Sequence, residues 1–182
     1  MKKAYHILIL HVGQVDADVL DNVQKSLIKA FPRSSCEIAA DIFSVPKEAY
    51  NPIRNQYNSS IILSRVSKYA SRSEANRILG ITDVDLYVPQ MNFVFGEAQY
   101  PGKTALISLH RLKPEFYGQP PNRELFKERT VKEAIHEIGH TLGLGHCENP
   151  YCVMFFSLHI GMTDQKELRF CERCSSKIKQ II

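Results

Sequence analysis

The segment HEIGHTLGLGHC, which begins at His136, restricts the fold of this chain more than any other feature of its sequence. Each residue of an α-helix turns about 100°, so His136 and His140 lie on one face of a helix. If that helix continued, His146 would lie about 240° away from this face. Glycine ends helices readily because it adopts the left-handed conformation. Gly143 and Gly145 therefore predict a helix end and a turn that brings His146 back to the other two histidines.

Three neutral histidines can share one tetrahedral zinc ion and leave its fourth position open, which is typical of catalytic zinc sites. Glu137 follows the first histidine directly and borders the same face. Zinc lowers the pKa of water to about 7, and a neighbouring carboxylate can take the proton and pass it to a leaving amine. A bare H-E-x-x-H also occurs by accident, but the extension to His146 argues against accident. We therefore predict a catalytic zinc on His136, His140 and His146, with Glu137 as the general base of peptide hydrolysis.

Four of the five cysteines lie in the last 36 residues, as the pairs Cys147-x4-Cys152 and Cys171-x2-Cys174. This spacing is typical of a structural zinc site with four thiolate ligands. The alternatives are disulfides and a C-x-x-C redox motif, but the sequence gives no indication of export and lacks the early strand of a thioredoxin motif. We expect a second zinc ion here. Because His146 and Cys147 are adjacent, loss of this ion should loosen the third histidine ligand.

Strand and helix patterns alternate along the first 120 residues. The apolar run Tyr5–Val12 predicts a buried strand, and apolar residues then recur at helical spacing until Pro32. Further predicted elements are strands at 36–45 and 84–88, a helix at 59–79 that ends at Gly80, and two antiparallel strands at 92–98 and 104–112 joined by a turn at Pro101-Gly102. The active-site helix starts at Asn122, or at Thr130 if Thr130 and Glu133 form a capping box, and ends at Gly143.

These elements predict an α/β fold with a mixed, mostly parallel sheet that has an antiparallel edge strand and is packed by helices. Residues 144–182 show little periodicity and contain four of the cysteines. We expect one catalytic domain over residues 1–182. It would consist of an α/β subdomain, 1–143, which includes the active-site helix, and a small irregular zinc-binding subdomain, 144–182.

Composition narrows the range of partners. The net charge of +4 comes from scattered Lys and Arg residues without a basic run, so nucleic-acid binding is not expected. No apolar stretch approaches the roughly 20 residues of a membrane helix. Met1–Lys3 and the apolar run after it imitate a signal peptide, but His6 and the lack of a small-residue cleavage site favour a first strand. We expect a cytoplasmic monomer without membrane contacts that acts on peptides or proteins.

The run from His136 to Cys147, followed by Cys152-x-Met154 and Cys171-x-x-Cys174, resembles the archaemetzincins, which are metzincin-type zinc metallopeptidases. The motifs cover about residues 130–174. The resemblance implies a zincin-like fold of the α+β kind with a cleft between two subdomains, two zinc ions, and the ligand and base roles given above. It also implies that Met154 is the Met-turn residue beneath the zinc histidines. Met162 is the second candidate, and a methionine that only fills the core is the alternative.

Several functional questions stay open at this point. A latent or non-catalytic zinc-binding module that binds peptides would share every ligand, as would a zinc deacylase of small amides. The pattern does not separate an endopeptidase from an aminopeptidase. A peptide substrate is expected along the edge strand at 92–98. Phe155 and Phe156 either wall a specificity pocket or belong to the core.

Overall fold

The computed structural model describes residues 5–182, and eight strands and five α-helices lie in this range. The start Met1–Lys3, which imitates a signal peptide, lies outside the described residues. The strands are β1 (Tyr5–Val12), β2 (Ser34–Phe43), β3 (Tyr50–Asn51), β4 (Gln56–Asn58), β5 (Arg77–Thr82), β6 (Leu86–Tyr87), β7 (Gly96–Ala98) and β8 (Thr104–Ser108). The helices are α1 (Ala17–Ala30), α2 (Ser59–Ala70), α3 (Arg123–Thr141), α4 (Ile160–Gln165) and α5 (Glu172–Ile181). No helix among the described residues is long and apolar enough to cross a membrane.

The main sheet has the order β2-β1-β5-β8-β7, in which the first four strands are parallel and β7 pairs antiparallel with β8. This confirms the predicted mostly parallel sheet with an antiparallel edge strand. Successive side chains of β1 point to opposite faces. Ile7 and Ile9 pack with α1 and α3, while Leu10 and Val12 pack with α2. Strands β3, β4 and β6 form a separate small sheet.

Two predictions for the middle of the chain are wrong. The helix predicted at 59–79 ends at Ala70, and residues 77–82 form the central strand β5, which includes Gly80. The strand predicted at 84–88 is reduced to β6 in the small sheet, so β5 takes its place in the main sheet. Ile78 and Leu79 continue the apolar period of α2, and no glycine or proline separates the helix from the strand.

The edge hairpin is confirmed in its pairing but is shorter than predicted. The strand at 92–98 is reduced to β7, and the strand at 104–112 is reduced to β8. Residues 110–112 instead form a 3-10 turn. The hydroxyl of Ser108 helps to end β8, because it donates to the carbonyl of Val84 and accepts from the N–H of His110.

The active-site helix α3 begins after Asn122, whose side chain accepts a hydrogen bond from the N–H of Leu125 at 3.0 Å. This confirms the earlier of the two predicted starts. The capping box at Thr130 is wrong, because Thr130 lies inside α3 and its hydroxyl donates to the Phe126 carbonyl. Ile138, in the last turns of α3, is fully buried, so this helix also has an apolar face toward the core.

Two ion pairs, one of them fully buried, join the C-terminal segment to α3. The Lys166 ammonium lies 2.9 Å from Oε1 of Glu133, and the two side chains are only 0% and 4% exposed. Thr163 also donates to this oxygen, and Arg129 binds Asp164 through two hydrogen bonds. Segment 144–182 is predicted to be irregular, but it contains the two helices α4 and α5 besides irregular loops.

Breaking the Glu133–Lys166 pair should destabilise the protein. Replacing Lys166 by methionine leaves the Glu133 carboxylate buried without its cation, so we expect the free energy of unfolding to fall by about 3 kcal/mol. The double variant Lys166→Met, Glu133→Leu should recover most of this loss because neither charge remains. Chemical denaturation measures both changes, and Lys25→Met, which breaks an exposed pair with Asp21, serves as control. A double variant as unstable as the single one would contradict this account.

Candidate metal centres and active-site cleft

Three histidines meet at the end of α3. His136 and His140 lie one helical turn apart, and their Nε2 atoms are 3.0 Å from each other. The chain then reverses, and His146 returns so that one ligand nitrogen of each ring lies within 4.8 Å of the others. The histidines at 6, 11, 110 and 159 belong to neither cluster of possible metal ligands found among residues 5–182.

The two glycines of this turn have different roles. Gly143 has a φ of +86°, the left-handed conformation that the sequence predicts. Gly145 is not left-handed, so the prediction for this residue is wrong. A Cβ on Gly145 would lie 3.3 Å from the Tyr100 hydroxyl, so its missing side chain makes room for a tyrosine whose ring packs edge-on against His140.

Main-chain carbonyls orient the two helical imidazoles. Nδ1 of His136 lies 2.8 Å from the carbonyl oxygen of Val153, and Nδ1 of His140 lies 2.8 Å from that of Leu144. A carbonyl only accepts hydrogen bonds, so each Nδ1 carries the proton and each Nε2 is a bare acceptor. Burial lowers the pKa of both rings and keeps them neutral. Two bare nitrogens 3.0 Å apart repel each other unless a cation lies between them, so the donor set fits a metal ion.

Met154 packs against α3 at Gly139, which has no side chain. A Cβ added to Gly139 would lie 2.5 Å from the Met154 sulfur. Met154 is fully buried, and its carbonyl accepts a hydrogen bond from the N–H of Cys147. Met162, the second candidate for this position, instead lies with its sulfur near the N–H of Leu158. The structure thus places Met154 directly against the histidine-bearing helix.

Four thiols form a second cluster next to the histidines. The Sγ atoms of Cys147, Cys152, Cys171 and Cys174 all lie within 4.8 Å of one another, and those of Cys147 and Cys171 are 3.7 Å apart. None of the four forms a disulfide. Cys36 is remote in β2, where burial raises the pKa of its thiol to about 12. The four clustered thiols have the number and arrangement of a closed zinc site.

A cleft of about 590 Å³ runs along the edge of the sheet beside the histidines, and the Glu137 carboxyl lines it. Glu137 packs against the edge strand so closely that a Cβ on Gly96 would lie 2.7 Å from its Oε1. Burial raises the pKa of Glu137 well above its usual range, and the nearby carboxylates of Glu133 and Glu97 raise it further. Sequence spacing predicts Glu137 at this site but gives no signal for Gly96 or Glu97.

The outer wall of the cleft is largely apolar. Met91 and Phe95 line it before the edge strand, and Phe156 and Leu158 line it after Met154. The Phe156 ring lies 4.7 Å from the ring of His146. Phe155, its neighbour in sequence, is not among the residues that line the cleft.

Comparison with known proteins gives the same family throughout. The family model described as Peptidase family M54 matches residues 13–180. An archaemetzincin from Methanocaldococcus jannaschii is 47% identical over 173 residues, which is 95% of this chain and 92% of that protein. An archaemetzincin from Pyrococcus furiosus is 42% identical over 178 residues, which is 96% of this chain and 92% of that protein.

A solved structure has the same fold. A zinc-dependent peptidase from Methanocorpusculum labreanum superposes with a TM-score of 0.86 at 30% identity over 94% of this chain and 99% of that one. The mixed α/β fold predicted from the sequence is therefore that of its structurally known relatives. This chain belongs to peptidase family M54, the archaemetzincins, and is a zinc metallopeptidase.

Proposed function

We propose that the chain hydrolyses peptide bonds at the histidine centre, with His136, His140 and His146 as zinc ligands and Glu137 as the general base. One observation carries this proposal: the three histidines and the Glu137 carboxyl all line the same cleft. The two helical imidazoles are held with their bare Nε2 atoms facing one another. Metal ligands and a proton acceptor are therefore available to one substrate.

Each side chain then has a defined task. His136, His140 and His146 would hold a zinc ion, which would supply Lewis acidity toward the scissile carbonyl and toward water near neutral pH. The Glu137 carboxylate accepts a proton from the attacking water and delivers it to the leaving amine. Gly96 leaves the space in which this carboxylate sits, and the Val153 and Leu144 carbonyls keep two imidazoles in the ligating tautomer. Phe156 shields one side of His146 and can also wall a specificity pocket.

The four-cysteine cluster is proposed to hold a second, structural zinc, which gives two ions per chain. It supports the division into an α/β subdomain, 1–143, and a zinc-binding subdomain, 144–182. Cys147 directly follows His146, and its N–H donates to the carbonyl of Met154 in the turn under the active-site helix. An ion on these thiolates would thus fix both the third histidine and the methionine turn.

The edge strand β7 is the proposed binding site for the substrate main chain. Phe95 and Gln99 form ladder bonds with β8, and bonded positions alternate along an antiparallel pair. The N–H and C=O groups of Gly96 and Ala98 therefore face away from β8, at the free edge beside the cleft. An extended peptide can add there as a further strand.

Removing two histidines should remove one zinc ion and all cleavage. We expect about two zinc ions per chain in the wild type and about one in His136→Ala, His140→Ala, because only the thiolate site remains. Elemental mass spectrometry measures the metal, and a mixed peptide library measures cleavage. Glu137→Gln is the matched control, which should keep both ions and lose at least about a hundredfold in kcat. A metal-loaded wild type that cleaves no peptide would instead favour the latent binding module.

Disrupting the cysteine cluster should weaken the histidine centre. Cys174→Ala should lower the zinc content by one ion and also weaken zinc binding at the histidine site, because the loop that carries His146 loses its anchor. Competition with a chromophoric chelator measures the affinity of the remaining ion. Cys36→Ala, a cysteine remote from the cluster, is the control. If the zinc affinity of the histidine site stays unchanged, the two centres are independent and the prediction is contradicted.

A proline at Ala98 should reduce peptide cleavage without unfolding the protein. Proline has no N–H, so the variant loses one outward donor while the ladder bonds to β8 remain. We expect kcat/KM to fall by about tenfold, mainly through KM, because the donor holds the substrate main chain. Thermal melting checks the fold. Cleavage that stays at the wild-type rate in a folded variant would exclude strand addition at this edge.

A further inference from the structure

Glu97 lines the cleft, and one oxygen of its carboxylate has no partner that the fold accounts for. Its Oε1 accepts a hydrogen bond from the Ser60 hydroxyl at 2.8 Å. Its Oε2 is buried and has no hydrogen-bond partner among the described residues. A buried carboxylate oxygen without a donor is costly, so such a group requires an explanation.

The charges around the cleft leave Glu97 without a cation. Three carboxyl residues line the cleft, Glu97, Glu133 and Glu137, and no Lys or Arg is among the described residues that line it. Glu133 is paired with Lys166, which does not line the cleft. Glu137 lines the same cleft as the histidine centre, whose donor set fits a cation. The charge of Glu97 is the one that the fold and the proposed metal do not neutralise.

The position of Glu97 on β7 determines what can reach it. Side chains alternate across a strand, so Gly96 and Ala98 face α3 and Glu97 faces α2, where it meets Ser60. The main chain of Glu97 pairs with Leu106 of β8, while the N–H and C=O groups of Gly96 and Ala98 face the cleft. A peptide that pairs with β7 also alternates its side chains. Its side chains on the α2 face would be cross-strand neighbours of Glu97.

We propose that Glu97 is a specificity-determining residue that binds a cationic side chain of the substrate, lysine or arginine, as a cross-strand partner. The inference rests on the proposed binding of peptides along β7. Oppositely charged cross-strand pairs stabilise a sheet, and an ammonium or guanidinium group would supply charged donors to a carboxylate whose one hydrogen-bond partner among the described residues is the Ser60 hydroxyl. Ser60 positions the carboxylate by holding Oε1.

The test compares zinc-loaded wild type, Glu97→Gln and Glu74→Gln on fluorogenic peptides that differ at one position. That position carries lysine, norleucine or glutamate in turn and is moved through the sites around the scissile bond. Glutamine keeps the shape of the side chain and removes its charge. Glu74 is exposed and does not line the cleft, so Glu74→Gln controls for the loss of one charge elsewhere. Each peptide is used with a free and with an acetylated N-terminus.

At one position, wild type and Glu74→Gln should cleave the lysine peptide about tenfold faster in kcat/KM than the norleucine peptide, which is the effect of one charge-assisted hydrogen bond. Glu97→Gln should reduce this ratio to about twofold, mainly through KM. The preference should survive acetylation, and its loss on acetylation would assign the cation to the terminal ammonium and overturn the side-chain assignment. An equal fall for lysine and norleucine peptides would make Glu97 a positioning residue for Glu137 and overturn the proposal.

Binding separates this inference from the proposed hydrolysis. Calorimetry on zinc-loaded Glu137→Gln, with and without Glu97→Gln, measures the affinity of the same lysine and norleucine peptides without cleavage. A lysine preference that disappears with Glu97→Gln supports cation recognition even if the wild type cleaves nothing. Cleavage and binding that are both indifferent to Glu97 would overturn this inference and leave the hydrolase assignment intact.

Discussion

The hydrogen bonds from two imidazoles to main-chain carbonyls are the constraint on which the rest of the site depends. His136 bonds to Val153 and His140 bonds to Leu144, both in the segment after α3. The active-site helix is thus tied at its ligand positions to the loops that carry His146 and the cysteines. These bonds fix the tautomer of each ring, and the fixed tautomers make the space between the rings a site for a cation.

The local chemistry of the site could be predicted because its residues lie at short, regular spacings in the sequence. The i, i+4 relation of His136 and His140 and the break at Gly143 are consequences of helix geometry and glycine conformation, and the structure has both. The four cysteines come together as their pairing predicts. The short strand Gly96–Ala98 was only approximately predicted, because an edge strand of three residues is defined by its partner β8 rather than by its own pattern.

Features that depend on contacts distant in sequence could not be predicted. The helix α2 and the strand β5 share one apolar pattern, and only burial in the centre of the sheet decides that residues 77–82 are extended. The Glu133–Lys166 pair joins residues 33 positions apart, and no local spacing marks it. Glu97 likewise has no distinguishing sequence context. Its position beside the cleft is known only once β7 is placed at the rim of the cleft.

Gly96 gives the edge strand a second role. Its Cα lies where any side chain would overlap Glu137 on one side and the Leu106 carbonyl on the other. The main chain proposed to bind the peptide is therefore also the main chain against which Glu137 packs, and neither can move without the other. A substitution that reshaped this strand for another substrate would therefore also displace Glu137. Changes at Met91, Phe156 and Leu158, which also line the cleft, would leave the space at Gly96 as it is.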